Sequence, residues 1–409
     1  MTAAIQFMPV FLLFAAVGAI PEGRPATILW AGPSILIAAM LVAWAAESAQ
    51  FFMAQGFALA ILACLQTLPE FAVEAVLAWH RQLPYLLANL TGALRLLTGL
   101  GWPMIYFAAA WVYRKREGKP MRRFVLEGEH SVQVVSLMPA LAYACVIYGK
   151  GSLGLGDAVA LIVIYCAYLA LLSKLPPQKE EGIDELERIP RAIVLSPRGR
   201  RIALISTLFL AGGFLIYVSA EPFLASLFAL SAMVGLPSFV FIQWVAPFLS
   251  EFPEGVSTFY WARTVHRAPM ALMNLVSSNI NQWTLLAALL PVVLSLSMGS
   301  VASIPLDNEQ EIEVLMTIGQ QLVGLLFLMN MELAWWEAAG LFALWFVQFA
   351  LSAIPAGVPF IGPLAARSHV WITALYFVWA GVELIRLLAG RRQPRALAEF
   401  AELWRTRVR

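Results

Sequence analysis

The sequence predicts an all-α polytopic membrane protein: two inverted five-helix repeats with extra N- and C-terminal helices, about 12 spans in total. Three observations predict it. The 409 residues are 61% hydrophobic and 13% charged, with a mean hydropathy of +0.77, against about 45–50% apolar and about 25% charged for a typical soluble chain. Apolar runs of roughly bilayer-crossing length recur from end to end. The two halves of the chain also share a pattern of prolines, acids and asparagines at a nearly constant offset.

Taken in order, apolar runs bounded by Pro, Gly or charge predict spans near 3–20, 27–45, 55–79, 83–112, 132–149, 156–174, 202–220, 237–262, 268–298, 311–331, 333–354 and 369–389. The first lacks the basic leader and cleavage site of a signal peptide and reads as a span. The domains expected are an extra N-terminal span (1–26), a first repeat (27–174), a cytoplasmic loop (175–201), a second repeat (202–354), and an extra span with a basic tail (355–409). Cys64, Cys145 and Cys166 lie in apolar runs without paired spacing and read as buried thiols.

Charge sets the orientation. Six Lys/Arg fall in 114–123, seven in 174–201, two at Arg263 and Arg267, and seven from Arg386 onward. These loops alternate along a twelve-span count, so 22 of 27 basic residues share one side. By the positive-inside rule that side is cytoplasmic, as are both termini. The expected location is a plasma membrane, the bacterial inner membrane. The partners expected are membrane lipid and small inorganic cations, with no nucleic acid and no cofactor beyond a transported cation, Ca²⁺ or Na⁺.

The repeat is clearest where "LQTLPEFAVEAVLAWHRQLPYLLANLTG" from Leu65 matches "LSEFPEGVSTFYWARTVHRAPMALMNLVSS" from Leu249. Each carries a polar pair, Pro-Glu, a helix end, a short basic turn and then Asn in the next span. Upstream, 43–56 pairs more loosely with 216–235; downstream, 156–172 pairs with 339–354. Five spans per copy is odd, so the second copy inserts upside down, and matching helix breaks in inverted repeats point to a site near the midplane.

Pro inside a helix frees a carbonyl one turn earlier, and in hydrocarbon that carbonyl needs a partner. Glu70 after Pro69 and Glu254 after Pro253 set a carboxylate beside such an opening. Both offer hard oxygen, suited to Na⁺, Ca²⁺ or a proton. Thr67 and Ser250 add hydroxyls about one turn earlier, and Glu74 and Glu251 lie at helical spacing from the motif acids. Intramembrane acids mark ion pathways as a rule; helix-end or ion-pair roles are the competing reading, and it weighs most for Glu74, near a boundary.

"TLPE" (67–70) and "SEFPE" (250–254), each followed by a span bearing Asn (Asn89; Asn274), resemble the alpha repeats of the cation/calcium exchanger superfamily. The resemblance covers about residues 27–354. It implies alternating access, with ligands from the two Pro-Glu helices and the helices after them. Position by position, it implies an ion site with metal ligands at Glu70 and Glu254, hydroxyls at Thr67 and Ser250, Ser278 and Asn279 at the family's Ser-Asn, and Gln282 near a later polar ligand.

The chain departs from that pattern in two places. A small hydroxyl position of the family is Glu251, and the first repeat's Ser-Asn falls on Ala93 and Leu94, with the later ligand near Leu97 or Thr98. That half carries Arg95 instead, about twelve residues into its span, or roughly 18 Å. Arg stays charged when buried. Arg95 therefore reads either as a fixed counter-cation to the site acids or as half of a structural bridge elsewhere.

His80, His130, His266 and His369 show no ligand spacing, and Asp307, Glu309, Glu311 and Glu313 read as an acidic outer loop. No phosphate-binding Gly loop appears and no catalytic constellation converges, so the expectation is a transporter and not an enzyme. The function expected is secondary antiport of Ca²⁺ against Na⁺ or H⁺. The alternatives are proton-coupled exchange of a monovalent cation, or a non-transporting exchanger fold kept as a scaffold or sensor.

Overall fold

The computed structural model describes residues 23–49, 67–174, 186, 188–354 and 358–408. The predicted span 3–20, the first part of 55–79, Cys64, and residues 175–185 and 187 of the predicted 175–201 loop lie outside them. Among the described residues, eight helices are long and apolar enough to cross a membrane.

Most predicted spans fall on helices, and the exceptions have physical causes. The run predicted to end at residue 220 is one helix, Arg198–Val234, that continues through Pro222 until Gly235 turns left-handed at φ 74°. Membrane helices tolerate such a proline because neighbours re-satisfy the freed backbone group. The run predicted as one span at 237–262 is two helices, Ser238–Ser250 and Phe252–Ala262, broken at Glu251. The acidic "loop" is helix: Asp307 caps the Asn308–Leu328 helix by accepting from the Gln310 amide at 2.8 Å, and Glu313 is buried in its second turn. Cys145 and Cys166 are exposed on outward helix faces, not buried; an apolar run is equally satisfied by lipid.

The repeats share backbone detail beyond sequence. The turn after Leu68–Trp79 places Arg81 at φ 55°, and the turn after Phe252–Ala262 places Val265 at φ 64°. A β-branched residue rarely adopts positive φ, so this conformation is imposed by the turn. Each following helix then carries a π-helical segment, Leu97–Gly101 in one copy and Gln282–Leu286 in the other. Such π segments are uncommon and concentrate at functional sites.

Two compact units emerge. The first comprises residues up to Val76 and from Leu172 to Glu254. In it the Ile28–Ala49 helix packs along Arg198–Val234 through Ala38, Val42, Leu215 and Ile216, flanked by Leu68, Ala72 and Phe209. Gly212 allows the close approach: a Cβ there would stand 2.8 Å from Val42 Cγ2 and 3.1 Å from the Ala38 carbonyl. Small residues serve this purpose where water offers no hydrophobic drive between helices.

The second unit holds Leu77–Leu171 and Gly255–Arg409. Asn308–Leu328 is its buried centre, packed by Ser131–Lys150, Leu83–Leu96 and Ser368–Leu388. Two antiparallel strand pairs, Arg123–Val125 with Glu332–Ala334 and Ser152–Leu153 with Ile304–Pro305, join loops of the two repeats. The basic C-terminal segment is anchored: buried Arg392 pairs with Glu337, approaches Glu383 at 3.6 Å, and donates to the Leu326 carbonyl at 2.9 Å. Beyond it, Arg395–Leu403 packs on Ser131–Lys150.

Candidate functional site

The two Pro-Glu motifs are helix starts. Pro69 and Pro253 each stand second in their helices, and Glu70 and Glu254 fall in the first turns. This corrects the mid-helix kink that the sequence suggested for Pro253. A proline in the first turn costs no hydrogen bond, because the amide it lacks would be an orphan anyway. It also puts the carboxyl at the end of the helix where amides and macrodipole favour negative charge. The Thr67 carbonyl accepts from the Phe71 amide at 3.0 Å, closing the first turn over the motif.

Glu251 occupies the joint between the two second-repeat helices, its amide bonded to the Pro247 carbonyl at 2.8 Å. Its buried carboxyl lies against the carboxyls of both Glu70 and Glu254. Carboxylates brought this close repel one another unless a proton or a cation lies between them. Ser250 sits beside the joint, donating to the Pro247 carbonyl at 3.3 Å and keeping its oxygen lone pairs. Glu70, Glu74 and Thr67 are buried and Glu254 is half-buried. The first unit thus brings together acids from both repeats. Among the described residues no set of three or more His, Cys, Asp or Glu side chains is arranged to hold a metal ion.

The remaining expected residues belong to the second unit. Asn89, Ser278, Asn279 and Gln282 are buried and Asn274 is half-buried. Gln282 opens the second π segment, and Ser278 and Asn279 lie in the turn before it. Asn279 Nδ2 donates to Thr98 Oγ1 at 2.9 Å and to Gln321 Oε1 at 3.3 Å. Thr98, in the opposite repeat's π segment, is thus the polar residue that this network takes up there, while Leu97 is buried without a polar side chain.

Arg95 is fully buried and pairs with Glu313 in the same unit. Its Nη2 lies 2.5 Å from Glu313 Oε2, and its Nη1 donates to Thr317 Oγ1 at 2.9 Å and to the Glu313 carbonyl at 3.2 Å. His369 Nδ1 meets the other Glu313 oxygen. Sequence reasoning missed Glu313, Gln321 and His369. A signal existed in "EVLMTIGQQ": Glu313, Thr317, Gln320 and Gln321 recur at three- and four-residue spacing, one polar stripe on an apolar helix.

Apolar helices of spanning length, Pro-Glu helix starts in both repeats and a buried acid cluster at them fit a secondary-transporter architecture in the membrane. The family model described as "Sodium/calcium exchanger protein" matches residues 26–174 and again 205–353. The chain belongs to that family, and the double match corresponds to its two repeats. Among solved structures it is similar to the H⁺/Ca²⁺ exchanger CAX, with 30% identity over 98% of this chain and 96% of that one, at a TM-score of 0.84. It shares the fold of YfkE (11% identity, 92% and 98% coverage, TM-score 0.57) and of the sodium-calcium exchanger NCX_Mj (18% identity, 80% and 97% coverage, TM-score 0.52). No curated protein matches the chain.

Proposed function

We propose that this protein is a secondary antiporter that exchanges Ca²⁺ for H⁺ by alternating access, with Glu70, Glu251 and Glu254 as the carboxyls that bind cation or proton. One observation carries the reading: the buried Glu251 carboxyl lies against two other carboxyls, and such a group is relieved only by a proton or a cation among its oxygens. A hard divalent cation seeks the same oxygens and releases a proton held there when it binds. Cation and proton then compete for one set of groups, which is the requirement for exchange. The 30% identity to an H⁺/Ca²⁺ exchanger over nearly the whole chain supports the same pair of ions. Ser250 and Thr67 add hydroxyl or carbonyl oxygen beside the acids.

In the twelve-span count 22 of 27 basic residues share one side, which supports both termini being cytoplasmic. The test is flux in proteoliposomes holding the purified chain. An imposed pH gradient is expected to drive Ca²⁺ against its own gradient, and Glu70→Gln and Glu254→Gln to abolish it. Ca²⁺ movement that follows a Na⁺ gradient and ignores pH would replace H⁺ with Na⁺ as the coupling ion. Flux of K⁺ or Na⁺ against H⁺ without Ca²⁺ would favour the monovalent exchanger, and no flux of any ion the non-transporting scaffold.

A further inference from the structure

In the second unit, one neutral group is held in an orientation that donor–acceptor rules fix. The Leu94 backbone carbonyl only accepts, so the Gln321 side-chain atom 3.2 Å from it is the Nε2 amide nitrogen. That nitrogen also donates to Thr98 Oγ1 at 2.8 Å. Gln321 Oε1 therefore turns to Asn279. The Asn279 atom that meets it at 3.3 Å has to be a donor, Nδ2, and the same atom reaches Thr98 Oγ1 at 2.9 Å. The choice between the two faces of each amide, ordinarily open, is settled here by a backbone carbonyl two steps away. The consequence falls on Asn279 Oδ1. It points away from Thr98 and Gln321, in a side chain with no solvent exposure, and makes no hydrogen bond among the described residues.

We infer that Thr98 and Gln321 are positioning residues that lock the Asn279 amide with its carbonyl oxygen presented to a hard cation. Buried carbonyl oxygens are nearly always satisfied, and an amide carbonyl is a good Ca²⁺ ligand. Without the lock, Asn279 is free to present its –NH₂ instead, and an N–H donor repels a cation. Thr98 comes from the π segment of the first repeat and Asn279 from the turn before the π segment of the second. Gln321 comes from the central helix, where nothing in the Pro-Glu motifs points. The half of the chain that lost its own Ser-Asn thus acts by orienting the Asn of the other half.

This inference rests on the Ca²⁺-exchange reading, and the experiment separates the two. In proteoliposomes, Gln321→Met and Thr98→Val remove polar contacts at nearly constant volume. Each is expected to raise the half-saturating Ca²⁺ concentration about tenfold, the order of one lost polar contact, with the maximal rate held within about twofold. Thr98→Ser keeps the hydroxyl and is expected to behave as the parent, which a packing role for the Thr98 methyl would not allow. If Gln321→Met fails to fold, the Thr98→Val and Thr98→Ser pair decides alone. Half-saturation unchanged in Thr98→Val and Gln321→Met, with flux intact in the parent, overturns the lock and leaves Ca²⁺ exchange standing. A parent with neither Ca²⁺ flux nor a Ca²⁺-dependent rise in unfolding temperature brings down both.

Discussion

Removing one member of the Arg95–Glu313 pair is expected to destabilise the protein severely, whereas removing both is expected to be nearly neutral. Both side chains are 0% exposed, and Arg95 Nη1 also serves Thr317 and the Glu313 carbonyl. Breaking a buried ion pair at one end costs about 3–5 kcal/mol, because a charge is left in low dielectric, while replacing the whole pair with apolar side chains of similar volume is often neutral or stabilising by about 1–4 kcal/mol. For a body of the second unit's size, 1 kcal/mol moves the unfolding temperature by about 2–4 °C. Arg95→Met or Glu313→Leu alone should therefore lower it by about 6–20 °C. The double variant should recover most of that loss. The assay is thermal unfolding of the purified chain in detergent, followed by loss of the monodisperse peak, with transport of the double variant measured in proteoliposomes. As a structural pair, its removal should leave the protons exchanged per Ca²⁺ unchanged. Single variants within about 2 °C of the parent, or a double variant that sums both losses, would refute the ion-pair argument. A changed proton count would show instead that the Arg95 charge enters the ion balance.

Three further outcomes follow from the geometry. On the proposed exchange, Ca²⁺ displaces protons from Glu70, Glu251 and Glu254, so raising the pH removes the competitor and apparent Ca²⁺ affinity should rise with pH; Glu251→Ser, which restores a hydroxyl, should flatten that dependence by about one proton, measured as the slope of log affinity against pH. Gly212→Ala would press its methyl against Val42 and the Ala38 carbonyl; overpacking of this kind costs about 1–3 kcal/mol, and unfolding in detergent that matches the parent would show that the helices give way. Arg392→Met leaves Glu337 and Glu383 buried without that guanidinium and should cost about 3–5 kcal/mol, read by the same unfolding assay, whereas Arg395→Met at the exposed Arg395–Glu399 pair should cost no more than about 1 kcal/mol.

The spans and the acid motifs were legible because each is written locally. An apolar run declares a membrane helix, and Pro-Glu placed twice at a fixed offset declares a repeat. The break at Glu251 was not legible: Ser238–Ser250 and Phe252–Ala262 form one unbroken apolar stretch apart from the acids, and Pro253 suits a kink as well as a helix start. The continuation of Arg198–Val234 through Pro222 was hidden for the reverse reason, since only the helices packed around it decide whether a proline interrupts. Glu313 was misplaced because four acids within seven residues look solvated; its partners Arg95, more than two hundred residues away, and His369 lie on other helices and make its burial tolerable. Gln321 was readable as part of a polar stripe but not as a partner of Asn279, since pairing between distant helices leaves no local trace.

The buried acids can now be sorted by the company they keep. Glu313 meets Arg95 and His369; Glu337 meets Arg392; Glu383 meets Arg386 at 2.9 Å and Arg392. In each case the compensating charge is a side chain of the protein, fixed in place, so these acids hold helices together without a mobile ion. Glu251 differs in kind, because its carboxyl lies against those of Glu70 and Glu254. Acid set against acid is relieved by a proton or a cation between the oxygens, and so its energy depends on what the solution on either side supplies. Breaking a pair of the first sort should show in unfolding and leave ion coupling intact; changing an acid of the second sort should show in coupling first. Glu251 stands where the family pattern has a hydroxyl, and that exchange of a neutral oxygen for a titratable one adds a proton-binding group to the set. A chain that used Na⁺ as its coupling ion would gain nothing from it, whereas one that used H⁺ gains a group whose occupancy tracks pH.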